Sequence, residues 1–312
     1  MPSKMIGKTA QNAKQQNVSP QDADQPVVIS QPLVMPGCQR FGLRSSETAL
    51  DYEIFVYVPE TAPPAAGFPV IYVLDANSDF ITVAETVRRV SRRPKATGIA
   101  PCVVVGIGYP NTDGYNIDRR YLDFTRDLAD ASVFPDRARE SCGGQADYIR
   151  FLRDRLRPLI QTRFTTDPRR QILLGHSLAG YFVLDLLAQY PDMFDGYISF
   201  SPSIWWDRPG LSRMLATAAP VARPIRLFTA VGRWEQELAP WQESDSFSSR
   251  YHEIRRVRRM IDNAREITSE FAAAFGAQSQ IRFEIGDDDD HATIVTTSLC
   301  RALRFVCRST AI

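Results

Sequence analysis

Residues 171–190 read QILLGHSLAGYFVLDLLAQY. A short apolar run ends in Gly175-His176-Ser177-Leu178-Ala179-Gly180, and a longer apolar stretch of helical length follows. A serine at a strand-to-helix turn between small residues is the pattern of a nucleophile elbow, G-x-S-x-G. There a strained turn exposes the hydroxyl at the carboxyl edge of a sheet, and bulky neighbours would clash with the adjoining strand and helix. Gly175 meets the first demand. Ala179 takes the second small position, and glycine arrives one place late at Gly180. The plainer alternative is a helix N-cap, since serine is common wherever a strand meets a helix. As a nucleophile, Ser177 would have the first amides of the following helix aimed at any oxyanion formed beside it.

Working outward, the same alternation continues in both directions. PVIYVLD precedes a helical pattern at 79–92, CVVVGIGY one at 145–160 and GYISFS one at 209–216. IRLFTAVG precedes 249–275 and IRFEIG precedes 292–307, while 178–190 follows the elbow itself. Apolar runs without polar alternation suit strands buried on both faces, and their alternation with helices predicts a mostly parallel sheet. Upstream, 28–34, 40–46 and 51–58 alternate and sit close together, so antiparallel strands are expected there. Residues 1–26 are polar and aperiodic. They read as a disordered tail before one catalytic domain over 27–312. The stretches 109–144 and 233–248 are long and irregular, as binding loops over a site would be.

The chain has 312 residues, 44% of them hydrophobic, which is enough for one large core. Lys and Arg number 37 against 36 Asp and Glu, so no global charge points to nucleic acid or a membrane surface. The five cysteines lack C-x-x-C spacing and read as reduced thiols. No apolar run is long enough for a membrane span and residues 1–27 lack a secretory apolar core, so a cytoplasmic protein is expected.

Three histidines are available to serve Ser177. His176 adjoins the serine and reads as packing at the turn, and His252 lies in the solvated helical pattern RYHEIRRVRR. His291 follows the last strand in GDDDDHAT, just ahead of the final helix, which is the place of the general base in a serine–acid–histidine chain order. The aspartates before it lack the glycine and glutamate spacing of an EF-hand and read as a solvated acidic loop. For the acid, the end of IRLFTAVG offers Glu235 or Glu237.

From about 69 to 307 the chain resembles the α/β-hydrolase esterases that include the ferric-siderophore (enterobactin-type trilactone) esterases. The stretches that carry the resemblance are VIYVLDAN, VVVGIGYP, RRYLDFT, GGQADYIRFLRDRLRPLI, LLGHSLAGYF, YPDMFDGYISFSPSIWWD, AVGRWEQE and DDDDHATIVTTSLCRALRFV. The resemblance implies Ser177 as nucleophile, His291 as base and Glu235 as acid. It also implies an oxyanion hole built from backbone N–H groups of Leu178 and the Ala76–Asn77 region, and a substrate contact at Arg120. Ala179 and Arg126 depart from the family pattern. The first perturbs the elbow, and the second adds positive charge near the mouth.

The expectation is therefore an α/β-hydrolase fold, with a mostly parallel sheet, helices on both faces and antiparallel N-terminal strands. The expected activity is serine-esterase hydrolysis of a siderophore or similar polar multi-ester, without metal or cofactor and without nucleic-acid or membrane partners. A general short-acyl or aryl esterase, an acyl-thioester hydrolase and a binding protein on a hydrolase scaffold stand as alternatives.

Overall fold

A computed structural model describes residues 33–126, 142–218, 221, 223–242 and 246–307. Pro36–Ile312 form one compact unit. Its centre is an eight-stranded sheet: β1 (Cys38–Arg44), β2 (Asp51–Tyr57), β3 (Phe68–Val73), β4 (Val103–Gly108), β5 (Thr166–His176), β6 (Gly196–Phe200), β7 (Arg226–Gly232) and β8 (Gln280–Gly286). They lie in the order β1-β2-β4-β3-β5-β6-β7-β8. β1 pairs antiparallel with β2, and β2 with β4; every other neighbouring pair is parallel.

The helices are α1 (Ala76–Val90), α2 (Pro94–Thr97), α3 (Ile117–Phe124), α4 (Gln145–Arg150), α5 (Arg157–Arg163), α6 (Leu178–Gln189), α7 (Arg208–Ala216), α8 (Ser246–Arg258), α9 (Met260–Phe275) and α10 (Ile294–Val306). A π-helical turn, Phe151–Leu156, joins α4 to α5. Every residue of β3 and β4 is buried, as expected of strands covered on both faces. Residues one apart point to opposite faces: Val70, Tyr72 and Leu74 join the core that includes Phe182 and Leu186 of α6, while Phe228 of β7 meets Phe305 of α10.

β1 begins two residues earlier than expected and β2 begins where expected, at Asp51. The strand anticipated over 28–34 falls outside the described residues except for its last two positions, which are not strand, and the expected tail and the onset at Val27 also lie outside them. The loop expectation for 109–144 is corrected by α3, an eight-residue helix capped by Asn116, whose side chain accepts from the Arg119 amide. The single helix expected over 249–275 is two, α8 and α9, broken at Arg259 with φ 43°. All five cysteines are free thiols. Among the described residues, no helix is long and apolar enough to cross a membrane.

Candidate active site

Ser177 stands between the last residue of β5 and the first of α6, with φ 62° and ψ −119°. This positive φ is strained for a residue with a side chain, and hydrogen bonds hold it in place: the Ser177 amide donates to Phe200 O at 2.9 Å and its carbonyl accepts from Ser203 N at 3.0 Å. The displaced glycine has a steric explanation. A Cβ on Gly175 would lie 2.5 Å from Ala179 O and 3.1 Å from the Ala179 methyl, so the bare position in front makes room for the alanine behind. A Cβ on Gly180 would lie 2.8 Å from Phe200 O, so α6 approaches the end of β6 at that residue and needs its glycine there. The hydroxyl makes no cap to the helix backbone, against the N-cap reading.

His291 reaches this serine from the loop after β8. Its Nε2 lies 3.0 Å from Ser177 Oγ, and its Nδ1 lies 2.6 Å from Glu235 Oε2. A carboxylate only accepts, so Nδ1 carries the hydrogen and the Nε2 lone pair faces the serine hydroxyl. Glu235 is buried, and its second oxygen accepts from the Gly232 amide at 2.7 Å and from the Ser201 hydroxyl. Glu237, the other acid offered by the sequence, is exposed, and its carbonyl accepts from Arg255.

The acidic loop is more ordered than a solvated run. Asp290 accepts from the amides of Ala292 and Thr293, a turn that fixes the backbone around His291. Asp289 is buried and accepts from Thr297, and Asp287 pairs with Arg233. Among the described residues, no group of three His, Cys, Asp or Glu side chains is placed to hold a metal ion.

His176 does more than fill the turn. Its Nε2–H donates to His291 O at 2.7 Å, and the two rings lie 4.7 Å apart. Its Nδ1 is then an acceptor, 3.4 Å from the Tyr115 hydroxyl, which also lies 3.3 Å from Asp79 Oδ1. Burial, followed by the nearby His291, pushes His176 down to about 3, so it stays neutral and keeps this tautomer. Burial, reinforced by neighbouring Asp75, raises Asp79 to about 7. Removing the donor should loosen the hold on the His291 backbone. His176→Phe is expected to lower kcat about 5- to 30-fold with KM nearly constant, the equivalent of one hydrogen bond, while His176→Gln, which keeps a donor, recovers most of the loss. Steady-state kinetics on p-nitrophenyl butyrate would show this. Equal losses in both variants would make the tie irrelevant.

The cleft above Ser177 has a volume of about 640 Å³. Leu178 lines it from the start of α6; Ala76 and Asn77 open α1 but do not line it, and the Asn77 side chain is bound to the backbone of Tyr109 and Thr112. Arg120 lines the cleft, but its Nε pairs with Asp75 at 2.9 Å and its Nη2 donates to His176 O at 3.2 Å. Arg119 pairs inward with Asp123 and stacks on Tyr52 and Tyr109, while Arg126 pairs with Asp185 and Asp207. Neither lines the cleft. Sequence reasoning missed Ser201 and Ser203; their signal was the SPS run at the carboxyl end of the buried strand GYISF, the edge where α/β sites form.

The strand order, the strained elbow and the Ser–His–Glu line together define an α/β-hydrolase. The chain belongs to the Esterase family, described as "Putative esterase", whose model matches residues 45–291. It is 35% identical over 284 residues to the ferri-bacillibactin esterase BesA of Bacillus subtilis (strain 168), covering 88% of this chain and 91% of that protein. It is 32% identical over 255 residues to the siderophore enterobactin esterase of Emericella nidulans, covering 76% of this chain and 81% of that protein. Among solved structures, the BES protein from Bacillus cereus matches with a TM-score of 0.76 at 27% identity, covering 89% of this chain and 99% of that one.

Proposed function

We propose that this chain is a serine esterase that hydrolyses the carboxylic ester bonds of a siderophore in the cytoplasm. The reading is carried by one observation: Ser177, His291 and Glu235 form a continuous hydrogen-bonded line, at 3.0 and 2.6 Å, in the wall of a cleft large enough for a multi-ester ligand. Ser177 Oγ attacks the ester carbonyl while His291 Nε2 takes its proton, and Glu235 holds the imidazolium that forms. Collapse of the tetrahedral intermediate expels the alkoxide, which receives that proton. Water then repeats the sequence on the acyl-enzyme, with His291 as base again. The Leu178 amide, at the α6 N-terminus, is the oxyanion donor that lines the cleft. Of the loop arginines, Arg120 is the one that contacts substrate, through whatever donors Asp75 and His176 leave open. The siderophore assignment comes from the relatives, which are named as esterases of such compounds.

Purified protein should cleave ferric enterobactin with a kcat/KM at least about tenfold above that for p-nitrophenyl butyrate, because remote contacts assist only a ligand large enough to make them. Chromatography of the released acyl-serine fragments would measure it. Hydrolysis confined to the small ester would reject the siderophore reading and leave a general esterase.

A further inference from the structure

The aromatic side of the cleft holds a cation that the triad does not use. Arg258, the last residue of α8, lines the cleft with Tyr121, Trp205 and Trp206, and its guanidinium carbon lies 4.4 Å above the Trp205 ring. Three other arginines near the site have carboxylates: Arg119 has Asp123, Arg120 has Asp75 and Arg126 has Asp185. Arg258 has none within ion-pair reach among the described residues. The titratable group beside it is the neutral Tyr121 hydroxyl, and burial pushes the Arg258 guanidinium down from its ordinary value. Withdrawing a guanidinium from water without a counter-ion is costly, and stacking on an indole offsets only part of that cost. The stack also fixes the plane of the guanidinium, leaving its edge donors in a set direction.

The position is near the chemistry. Trp205 follows Ser203 by two residues, roughly 7 Å of chain, and Ser203 Oγ lies 3.4 Å from Ser177 Oγ. Arg255, one turn earlier on α8, also lines the cleft but already donates to Glu237 O and to Gln242 Oε1.

We propose that Arg258, held over Trp205, is a specificity-determining residue that selects ester ligands bearing negatively charged, planar oxygen pairs, an anionic iron(III)–catecholate complex rather than an uncharged hydroxamate one. This rests on the siderophore reading above. The fork of the guanidinium matches two adjacent phenolate oxygens, while Tyr121, Trp205 and Trp206 face the rings. An uncharged ferric complex offers the same bulk but leaves Arg258 without its counter-ion.

The test is a specificity ratio measured on the full chain: kcat/KM for ferric enterobactin divided by kcat/KM for an uncharged ferric tris-hydroxamate triester, with p-nitrophenyl butyrate reporting an intact Ser177. Arg258→Gln should lower the ratio about 10- to 100-fold, chiefly through KM for the catecholate, the loss expected for one charge-assisted contact. It should also flatten the rise of that KM with added salt. Arg258→Lys, which keeps the charge without the fork, should fall between wild type and Arg258→Gln. An unchanged ratio in Arg258→Gln, or an equal loss on both ferric esters, overturns the inference while leaving the esterase reading intact. Wild-type protein that hydrolyses p-nitrophenyl butyrate but neither ferric ester overturns the siderophore reading, and the inference with it.

Discussion

Ser177→Gly is expected to reduce ester turnover by about 10⁴-fold or more while raising Tm by about 2–4 °C. The two effects have one origin. The elbow holds residue 177 at φ 62°, ψ −119°, a conformation that disfavours any residue with a Cβ by roughly 1–2 kcal/mol and suits glycine. The backbone bonds to Phe200 and Ser203 belong to main-chain atoms and survive the substitution. Only the side-chain CH₂OH is lost, and with it the hydroxyl that lies 3.0 Å from His291 Nε2. Kinetics with an activated ester and thermal unfolding of the same preparation check both halves. A folded Ser177→Gly protein with turnover within about tenfold of wild type would remove Ser177 as nucleophile. A lower Tm would show that the elbow stores no strain worth relieving.

Much of this arrangement was legible in the sequence because it is written locally. The buried strands show as unbroken apolar runs, and the elbow shows because steric crowding at the turn restricts positions 175, 179 and 180 to small side chains. α3 was missed: its eight residues are too few and too polar for a periodic signal, although Asn116 three residues before Arg119 was a readable cap. The break between α8 and α9 was hidden because Arg259, not glycine, adopts the left-handed conformation. What stayed invisible depends on pairs distant along the chain. His176 meets the carbonyl of a residue 115 positions away, and Ser201 meets Glu235 across 34 positions. Arg120 illustrates the same limit. It lines the cleft from α3, but nothing local revealed that Asp75, 45 residues earlier, takes up its charge.

Glu235→Gln is expected to lower kcat by about 10²- to 10⁴-fold, and Glu237→Gln by less than about twofold. The loss is larger than deletion of a charge alone would give, because the surrounding donors dictate how a glutamine would sit. Oε1 of Glu235 receives the Gly232 amide hydrogen and the Ser201 hydroxyl hydrogen, so this position tolerates only an acceptor. A glutamine must therefore turn its carbonyl oxygen toward Gly232 and Ser201 and its NH₂ toward His291 Nδ1. That NH₂ donates where the carboxylate accepted, so the favoured tautomer of His291 moves its hydrogen from Nδ1 to Nε2. Nε2 then presents a hydrogen, not a lone pair, to Ser177 across 3.0 Å and cannot serve as base. Ser201→Ala removes one of the two donors but leaves the Gly232 amide, which still requires an acceptor at Oε1. The substitution should cost about tenfold by itself, and in combination with Glu235→Gln it should add little further loss, since the Gly232 amide alone keeps the glutamine in the same orientation. Kinetics on the four proteins of this cycle check the account. Additive losses in the double variant would place Ser201 outside the chain that sets the tautomer, and a small loss in Glu235→Gln would reduce the machinery to a serine–histidine dyad.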